Sequence, residues 1–175
     1  MNAGRGIAMQ RTPRAIYIII AAMLLAAFVA KRLHSQAPPQ FHAAHIYNEN
    51  ADAKKDISGA LALAQATHKN VLLDFGANWC GDCQVLDVYM HDDANGPLLD
   101  KYYVTVHIDV GRFDKNTDMA HTFNVPLNKG IPALAVVSPG GRVIFSQTAG
   151  EFADMRHLQS GALTEFLKMW RPQTK

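Results

Sequence analysis

Residues 71–83 read VLLDFGANWCGDC. The apolar run at the start predicts a short buried strand, which one acidic residue, Asp74, interrupts. Cys80 and Cys83 follow, where we predict the beginning of a helix that reaches about Met90. The stretch therefore places a Cys-x-x-Cys pair at the junction between a strand and the helix that follows it.

On both sides of this stretch, the pattern predicts strands that alternate with helices and end in a hairpin. Asp56 is the predicted N-cap of a helix that ends near His68, and Thr117 is the predicted cap of another. The other predicted elements are strands at 104–110, 133–137 and 142–147, a helical turn at 98–102 and a C-terminal helix around 163–170. This order predicts an α/β fold with a central mixed β-sheet and helices on both faces.

The composition limits the classes of function. The chain has 175 residues, of which 49% are hydrophobic and 18% charged, and this is typical of a globular protein. The first 48 residues hold five basic residues and no acidic one, so the remainder has 12 basic and 15 acidic residues. Because that remainder has a net charge of about −3, we expect no nucleic-acid partner.

An apolar segment of sixteen residues, 15–30, lies between basic residues near the N-terminus. As a helix it would span roughly 24 Å, and flanking Arg and Lys side chains could extend it toward a hydrocarbon core of about 30 Å. We predict that residues 1–33 are a signal peptide or an N-terminal membrane anchor. A retained anchor is favoured because Pro38 follows the best candidate cleavage site, Ser35-Gln36-Ala37. A buried core helix is disfavoured, since it would show a polar stripe.

Residues 34–45 are a predicted linker, and residues 46–175 are the predicted folded domain. The basic residues before the apolar segment favour an N-terminus on the inside, with the domain on the outside. We therefore predict a domain tethered to the inner membrane through residues 15–30 and facing the periplasm. If the segment is cleaved, the domain is released into the periplasm.

The motif Trp79-Cys-Gly-Asp-Cys83 resembles the WCxxC motif that thioredoxins carry at the same strand-to-helix junction. Asp74 lies six positions before the first cysteine, where many thioredoxins have a buried carboxylate. Ile131-Pro132 precedes a predicted strand, at the place of the family's cis-proline. The resemblance covers roughly residues 56–170 and implies a thioredoxin fold and a protein thiol-disulfide oxidoreductase.

The chemistry of the motif assigns roles to its residues. A thiolate attacks disulfides whereas a thiol does not, and a helix N-terminus favours the thiolate, so Cys80 is the predicted nucleophile. Cys83, about one turn further on, is the predicted resolving thiol. The resemblance implies that buried Asp74 accepts the proton of Cys83, although a partly solvated Asp74 at the strand end is an alternative. The Cys80–Cys83 pair is then the redox group, and we expect no bound cofactor and no metal.

The resemblance also implies a substrate-binding surface. Pro132, preferred over Pro126 because a strand follows it directly, would be the cis-proline and leave the backbone at Ile131 available to an extended substrate. Trp79 is predicted to lie half in the core and half at the rim, where it could touch the substrate. The loop at 111–116 either shapes a partner surface or is a solvated connector.

Gly81-Asp82 stands between the cysteines, where common thioredoxins have Gly-Pro. We predict that these two residues modulate how readily the Cys80 thiol ionises. A carboxylate within about 7 Å, at an effective dielectric of about 40, disfavours the thiolate by roughly 1 kcal/mol. Asp82 also competes for the positive end of the helix dipole. We therefore expect a Cys80 thiol that is less acidic than in relatives with a basic residue at this place.

The resulting hypothesis is a membrane-tethered thiol-disulfide oxidoreductase that exchanges disulfides with protein substrates. By analogy with the family, it would be a reductase that receives electrons from a membrane or periplasmic redox partner. A disulfide oxidant or isomerase is an alternative, because the direction depends on the reduction potential. A thioredoxin-fold binding or assembly module and a metal carrier are further alternatives.

Overall fold

The computed structural model describes residues 45–173. In chain order the elements are α1 (Ala53–Thr67), β1 (Asn70–Gly76), α2 (Gly81–Met90), α3 (Gly96–Tyr102), β2 (Tyr103–Asp109), α4 (Thr117–Thr122), a 3₁₀ turn (Leu127–Lys129), β3 (Ala133–Val137), β4 (Val143–Ser146), a second 3₁₀ turn (Met155–His157) and α5 (Ser160–Met169). Across this part of the chain, none of the helices combines the length and the apolar character needed to span a bilayer. The predicted anchor at 15–30 lies outside the described residues.

The strands form one mixed sheet in the order β2-β1-β3-β4. Strand β1 pairs in parallel with β2 and antiparallel with β3, and β3 pairs antiparallel with β4. Every residue of β1 is buried, which explains why this strand reads as an apolar run without alternation. The predicted central mixed sheet is confirmed.

Successive residues of β1 belong to two different hydrophobic cores. Leu73 packs in a cluster that includes the apolar side of α1, whereas Leu72 packs in a cluster that includes α2 and α5. Because neighbouring side chains of a strand point to opposite faces of a sheet, the two clusters lie on its two sides. The predicted placement of helices on both faces is therefore confirmed.

Two of the predicted helix caps are wrong. Helix α1 begins one turn earlier than predicted, with Asp52 as its N-cap, and the Asp52 side chain accepts a hydrogen bond from the Lys55 N–H at 3.0 Å. Asp56 lies within the first turn instead. Helix α4 has Asn116, in the left-handed conformation, at its N-cap, and Thr117 is its first residue. Both errors are shifts of one to four residues, because several residues of the capping type precede each helix.

We expect the substitution Leu72→Ala to lower the free energy of unfolding by about 2–5 kcal/mol, because it removes contacts and leaves a cavity in the core. Leu72 is fully buried in the central strand. Urea denaturation followed by circular dichroism measures the change. Val88→Ala is the matched control on α2, where the side chain is 40% exposed, and we expect a change of about 0.5 kcal/mol or less. Equal losses for both variants would contradict this description of the core.

Candidate active site

Cys80 and Cys83 form a disulfide at the start of α2, with their Cα atoms 5.3 Å apart. Cys80 is the N-cap of the helix, and its sulfur accepts a hydrogen bond from the Cys83 N–H at 3.1 Å. This N–H is one of the donors that a helix leaves without an intrahelical partner at its N-terminus. Cys80 is 5% exposed and Cys83 is completely buried. Of the two cysteines, Cys80 is the more exposed, and the roles of nucleophile and resolving thiol stay predictions.

The loop before β3 faces this disulfide. The Ile131–Pro132 peptide bond is cis, whereas no cis bond occurs at Pro126 in the described part of the chain. The carbonyl oxygen of Ile131 lies 3.6 Å from the sulfur of Cys80. Gln147, a buried residue that sequence reasoning did not identify, donates a hydrogen bond to the Pro132 carbonyl at 3.1 Å. Gln147 thus fixes the loop on its buried side, and the Ile131 carbonyl on the other side borders the Cys80 sulfur.

Asp74 is buried in β1, with 1% exposure, so it is not the partly solvated residue that the sequence left as an alternative. Its Oδ2 accepts a hydrogen bond from the Tyr47 hydroxyl at 2.8 Å, and the Nδ1 of His107 lies 2.8 Å from the same oxygen. The other oxygen, Oδ1, is buried and has no hydrogen-bond partner among residues 45–173.

The contacts with Asp74 affect the ionisation of both neighbours. Burial, followed by the charge and hydrogen bond of Asp74, raises the pKa of Tyr47 well above its ordinary value. Burial lowers the pKa of His107, but the hydrogen bond and charge of Asp74 oppose it, and the net pKa lies above the ordinary value. Tyr47 therefore remains a neutral donor, while His107 favours the imidazolium form.

Neither Tyr47 nor His107 was identified from the sequence. Tyr47 lies in an irregular segment that Asn78 holds through two hydrogen bonds, of 3.0 Å and 2.9 Å, with the Tyr47 backbone. Its phenol fills the space beside Gly76, where a Cβ atom would overlap with the ring. His107 lies directly opposite Asp74 in the parallel register of β1 and β2. That register is the signal that could have revealed His107, because both residues occupy the fifth position of their strands.

Trp79 belongs to the rim of the site. Its side chain is 51% exposed, and its Nε1 donates a hydrogen bond to the carbonyl of Gly111 at 2.7 Å. The ring of Phe113, which is 43% exposed, lies edge-on to the indole at a centroid distance of 6.0 Å. The loop at 111–116 therefore shapes the surface beside the disulfide and is more than a solvated connector.

A groove of about 580 Å³ continues from this rim. Its lining includes Phe113, which contacts Trp79, and Gly130, which directly precedes Ile131. The other lining residues are Thr117, Ala120, His121, Val125, Leu127 and Asn128. The groove is mainly apolar and joins two of the residues predicted to bind substrate.

Asp82 is paired with a base that lies 74 residues away in the sequence. Its Oδ1 accepts hydrogen bonds from the backbone N–H and the Nε of Arg156, both at 3.0 Å, and its Oδ2 lies 3.0 Å from Nη2. The hydrogen bond and charge of Asp82 raise the pKa of Arg156. The predicted effect of Asp82 on Cys80 therefore depends on Arg156 as well. At Gly81, a Cβ atom would meet no atom within 4 Å, so its modulating role stays a prediction.

The arrangement supports disulfide exchange through the Cys80–Cys83 pair. The chemical groups at hand are two sulfurs, a backbone carbonyl and a buried carboxylate with its two donors. Within residues 45–173, no cluster of three or more His, Cys, Asp or Glu side chains could hold a metal ion.

Comparison with known proteins gives a consistent result. A family described as Thioredoxin-like matches residues 52–139, which is half of the chain. Thioredoxin from Rattus norvegicus is 34% identical over 107 residues, covering 60% of this chain and 87% of the rat protein. A solved structure described as a disulphide isomerase from Xylella fastidiosa Temecula1 is 38% identical. It superposes with a TM-score of 0.68 and covers 71% of this chain and 95% of its own.

We expect Asp82→Ala and Arg156→Ala to change the reactivity of Cys80 in opposite directions. Removing the carboxylate favours the Cys80 thiolate, whereas removing the guanidinium leaves the carboxylate unpaired and disfavours the thiolate. A unit charge roughly 7 Å away at a dielectric of about 40 gives about 1 kcal/mol, or up to about fivefold in rate. The measurement is the rate of alkylation of reduced protein by iodoacetamide against pH, in a Cys83→Ser background.

Lys168→Ala is the control for this pair, because Lys168 is an exposed cation on α5 that is bound to Glu165. It should leave the alkylation rate unchanged. Rates that move in the same direction for the Asp82 and Arg156 variants would show that their charges do not act on the sulfur.

Proposed function

Because the chain belongs to the thioredoxin-like family, we propose that this thiol-disulfide oxidoreductase acts as a reductase of protein disulfides. The observation that carries the proposal is the Cys80 sulfur, which caps α2 and borders the cis-proline loop, with Cys83 buried behind it. This arrangement suits an enzyme that attacks with one sulfur and resolves with the other.

In the proposed reaction, the Cys80 thiolate attacks one sulfur of a substrate disulfide and the other substrate sulfur leaves as a thiolate. The product of this step is a mixed disulfide between Cys80 and the substrate. The Cys83 sulfur then attacks the Cys80 sulfur and releases the second substrate sulfur. Asp74 accepts the Cys83 proton in this step. Two electrons pass from the dithiol to the substrate, and the enzyme ends with the Cys80–Cys83 disulfide.

The surroundings of Cys80 support reduction as the direction. Strong oxidants of this chemistry owe their high potentials to a stabilised reduced form. Here the sulfur receives a hydrogen bond from the Cys83 N–H, but it also faces the negative end of the Ile131 carbonyl. The nearby Arg156 is already bound to Asp82. This thiolate is less stabilised than one that also faces a free cation, and the difference favours electron donation.

Disulfide isomerisation is the second candidate. It is supported by the 38% identity to the solved structure described as a disulphide isomerase. An isomerase forms the same mixed disulfide through Cys80, but a thiol of the substrate resolves it. The two activities therefore use one site and differ in the second step.

We place the enzyme outside the cytoplasmic membrane, tethered by residues 15–30 and supplied with electrons by a membrane or periplasmic redox partner. The support for this location is the apolar segment and its basic flanks. A tether would hold the domain near a membrane-bound electron donor.

We propose that the groove beside Trp79 gives the enzyme a preference for polypeptides over small disulfides. An extended substrate whose cysteine lies at Cys80 would place neighbouring residues along the cis-proline loop, which continues through Gly130 into the groove. The apolar lining suits a bulky apolar side chain of that substrate.

The wild-type protein should reduce insulin with dithiothreitol as the electron source, and Cys80→Ser should abolish this activity. Equilibration of the dithiol with glutathione or dithiothreitol then gives the reduction potential. A value near about −270 mV supports the reductase, whereas about −180 mV favours the isomerase and about −120 mV an oxidant. Equal, negligible rates for wild type and Cys80→Ser would refute catalysis.

Leu127→Ala should raise the KM for insulin by about fivefold for each roughly 1 kcal/mol of apolar contact that is lost. The kcat and the rate with glutathione disulfide should not change, since a small disulfide does not reach the groove. Leu63→Ala is the matched control, because Leu63 is an exposed leucine of α1. A parallel loss with glutathione disulfide would show that the groove does not bind the polypeptide.

A further inference from the structure

The cluster formed by Asp74, Tyr47 and His107 has an uneven distribution of hydrogen bonds. Both neighbours contact Oδ2 of the carboxylate, at 2.8 Å each, and Oδ1 has no partner among the described residues. A buried carboxylate oxygen without a hydrogen-bond donor destabilises the folded state, so its presence in a protein calls for a functional explanation. Tyr47 belongs to the hydrophobic cluster that also contains Cys80 and Cys83.

Access to solvent differs among the three side chains. The Asp74 side chain is 2% exposed, whereas the His107 side chain is 28% exposed. Since Nδ1 of His107 is engaged with Asp74, the other ring nitrogen, Nε2, is the one that can exchange a proton with water. His107 thus connects the buried carboxylate with bulk solvent.

We propose that His107 is a positioning residue that holds the Asp74 carboxylate through a charged hydrogen bond and exchanges protons with solvent during the second step of disulfide exchange. The inference rests on the proposed function, in which Asp74 accepts the proton of Cys83. Tyr47 fixes the carboxylate through a hydrogen bond but carries no proton away, because its phenol stays neutral.

The step balances as follows. The S–H bond of Cys83 breaks and its proton goes to Oδ1 of Asp74, while the sulfur forms a bond to the Cys80 sulfur. The substrate sulfur leaves with the electron pair of the mixed disulfide and is protonated by water. The imidazolium of His107 then releases its Nε2 proton to solvent, which leaves a neutral imidazole beside a neutral carboxyl and offsets the proton that entered from Cys83. When the disulfide is reduced again, Oδ1 returns its proton to the Cys83 sulfur and Nε2 takes up a proton from solvent. Oxidation of a dithiol substrate would run the same transfers in reverse.

Three groups act on the imidazole from the elements around it. They are Asp74 of β1, Asp87 of α2, and Tyr47 of the N-terminal segment, whose ring lies edge-on at a centroid distance of 5.7 Å. Burial lowers the pKa of His107, and the contact with Asp74 together with the charge of Asp87 raises it above the ordinary value. The imidazolium–carboxylate pair therefore forms fully below the ordinary histidine pKa of about 6.5 and is lost as pH rises through the raised value.

The test compares His107→Gln with Tyr47→Phe in the full chain. Glutamine can still donate a hydrogen bond to Asp74 but cannot be protonated, so the variant loses both the positive charge beside the carboxylate and the group that exchanges protons with solvent. In the pH–rate profile of the resolving step, we expect the fall in rate at low pH, the acid limb, to move upward by about one pH unit. The loss of an adjacent opposite charge typically shifts a pKa by at least this much. The rate should be about tenfold lower near pH 6 and unchanged near pH 9, where wild-type His107 is also neutral. Tyr47→Phe removes a neutral donor and should slow the step by a similar factor at every pH.

The measurement is a single-turnover reaction of reduced protein with glutathione disulfide that carries two self-quenching fluorophores. A Cys83→Ser background reports the first step alone, and there His107→Gln should have no effect. In an Asp74→Asn background, His107→Gln should likewise cause no further decrease in the rate of the resolving step. Circular dichroism checks folding, and His107→Asn provides a second variant if His107→Gln does not fold.

An acid limb that stays in place in the His107 variants would overturn the relay. The same is true if the limb moves equally in the Cys83→Ser background, because His107 would then act on Cys80. Wild-type protein that fails to reduce insulin would instead contradict the proposed function, so the two failures are distinguishable.

Discussion

Burial of Asp74 in the central strand is the constraint on which the rest of the site depends. A carboxylate removed from water is strongly destabilising unless donors or an opposite charge accompany it. The donors come from two distant parts of the chain, since Tyr47 precedes the sheet and His107 lies on the parallel neighbour strand. Gly76 leaves room for the phenol, and Asn78 fixes the segment that carries it. The strand register, a glycine and the path of the N-terminal segment are therefore all compatible with the donors that this acidic residue needs.

The second feature is the separation of two chemically identical sulfurs by one turn of helix. Cys80 caps α2 and accepts a backbone hydrogen bond, whereas Cys83 lies inside the core. The Cys80 sulfur accepts a hydrogen bond from a free N–H group of the helix N-terminus, which favours an anion there. The Cys83 sulfur is completely buried, and burial disfavours its thiolate, so a nearby base would help it to become nucleophilic. The two sulfurs therefore differ in their surroundings, as the proposed division of roles needs.

Local patterns predicted most of the fold, and long-range contacts explain what they did not predict. The apolar run at 71–75 and the hairpin turn before 142–147 gave strands close to the observed ones, because burial and turn chemistry are encoded within a few residues. The cysteines and Pro132 were found through the resemblance to thioredoxins. Tyr47 was missed because an irregular segment shows no periodicity. Likewise, the contact between Asp82 and Arg156 joins parts of the chain 74 residues apart, so no local pattern reports it.

The charges of the site occur as two acid–base pairs, and the two pairs respond differently to pH. In each pair the acid is buried and the base is partly exposed, as for Asp82 with Arg156 and Asp74 with His107. The guanidinium of Arg156 stays protonated at any physiological pH, so the field of the first pair at Cys80 is constant. The imidazole of His107 titrates, so the second pair changes charge in the range where exchange takes place. The first pair therefore adds a constant electrostatic effect to the reactivity of Cys80, and the second pair adds a pH dependence at the resolving sulfur.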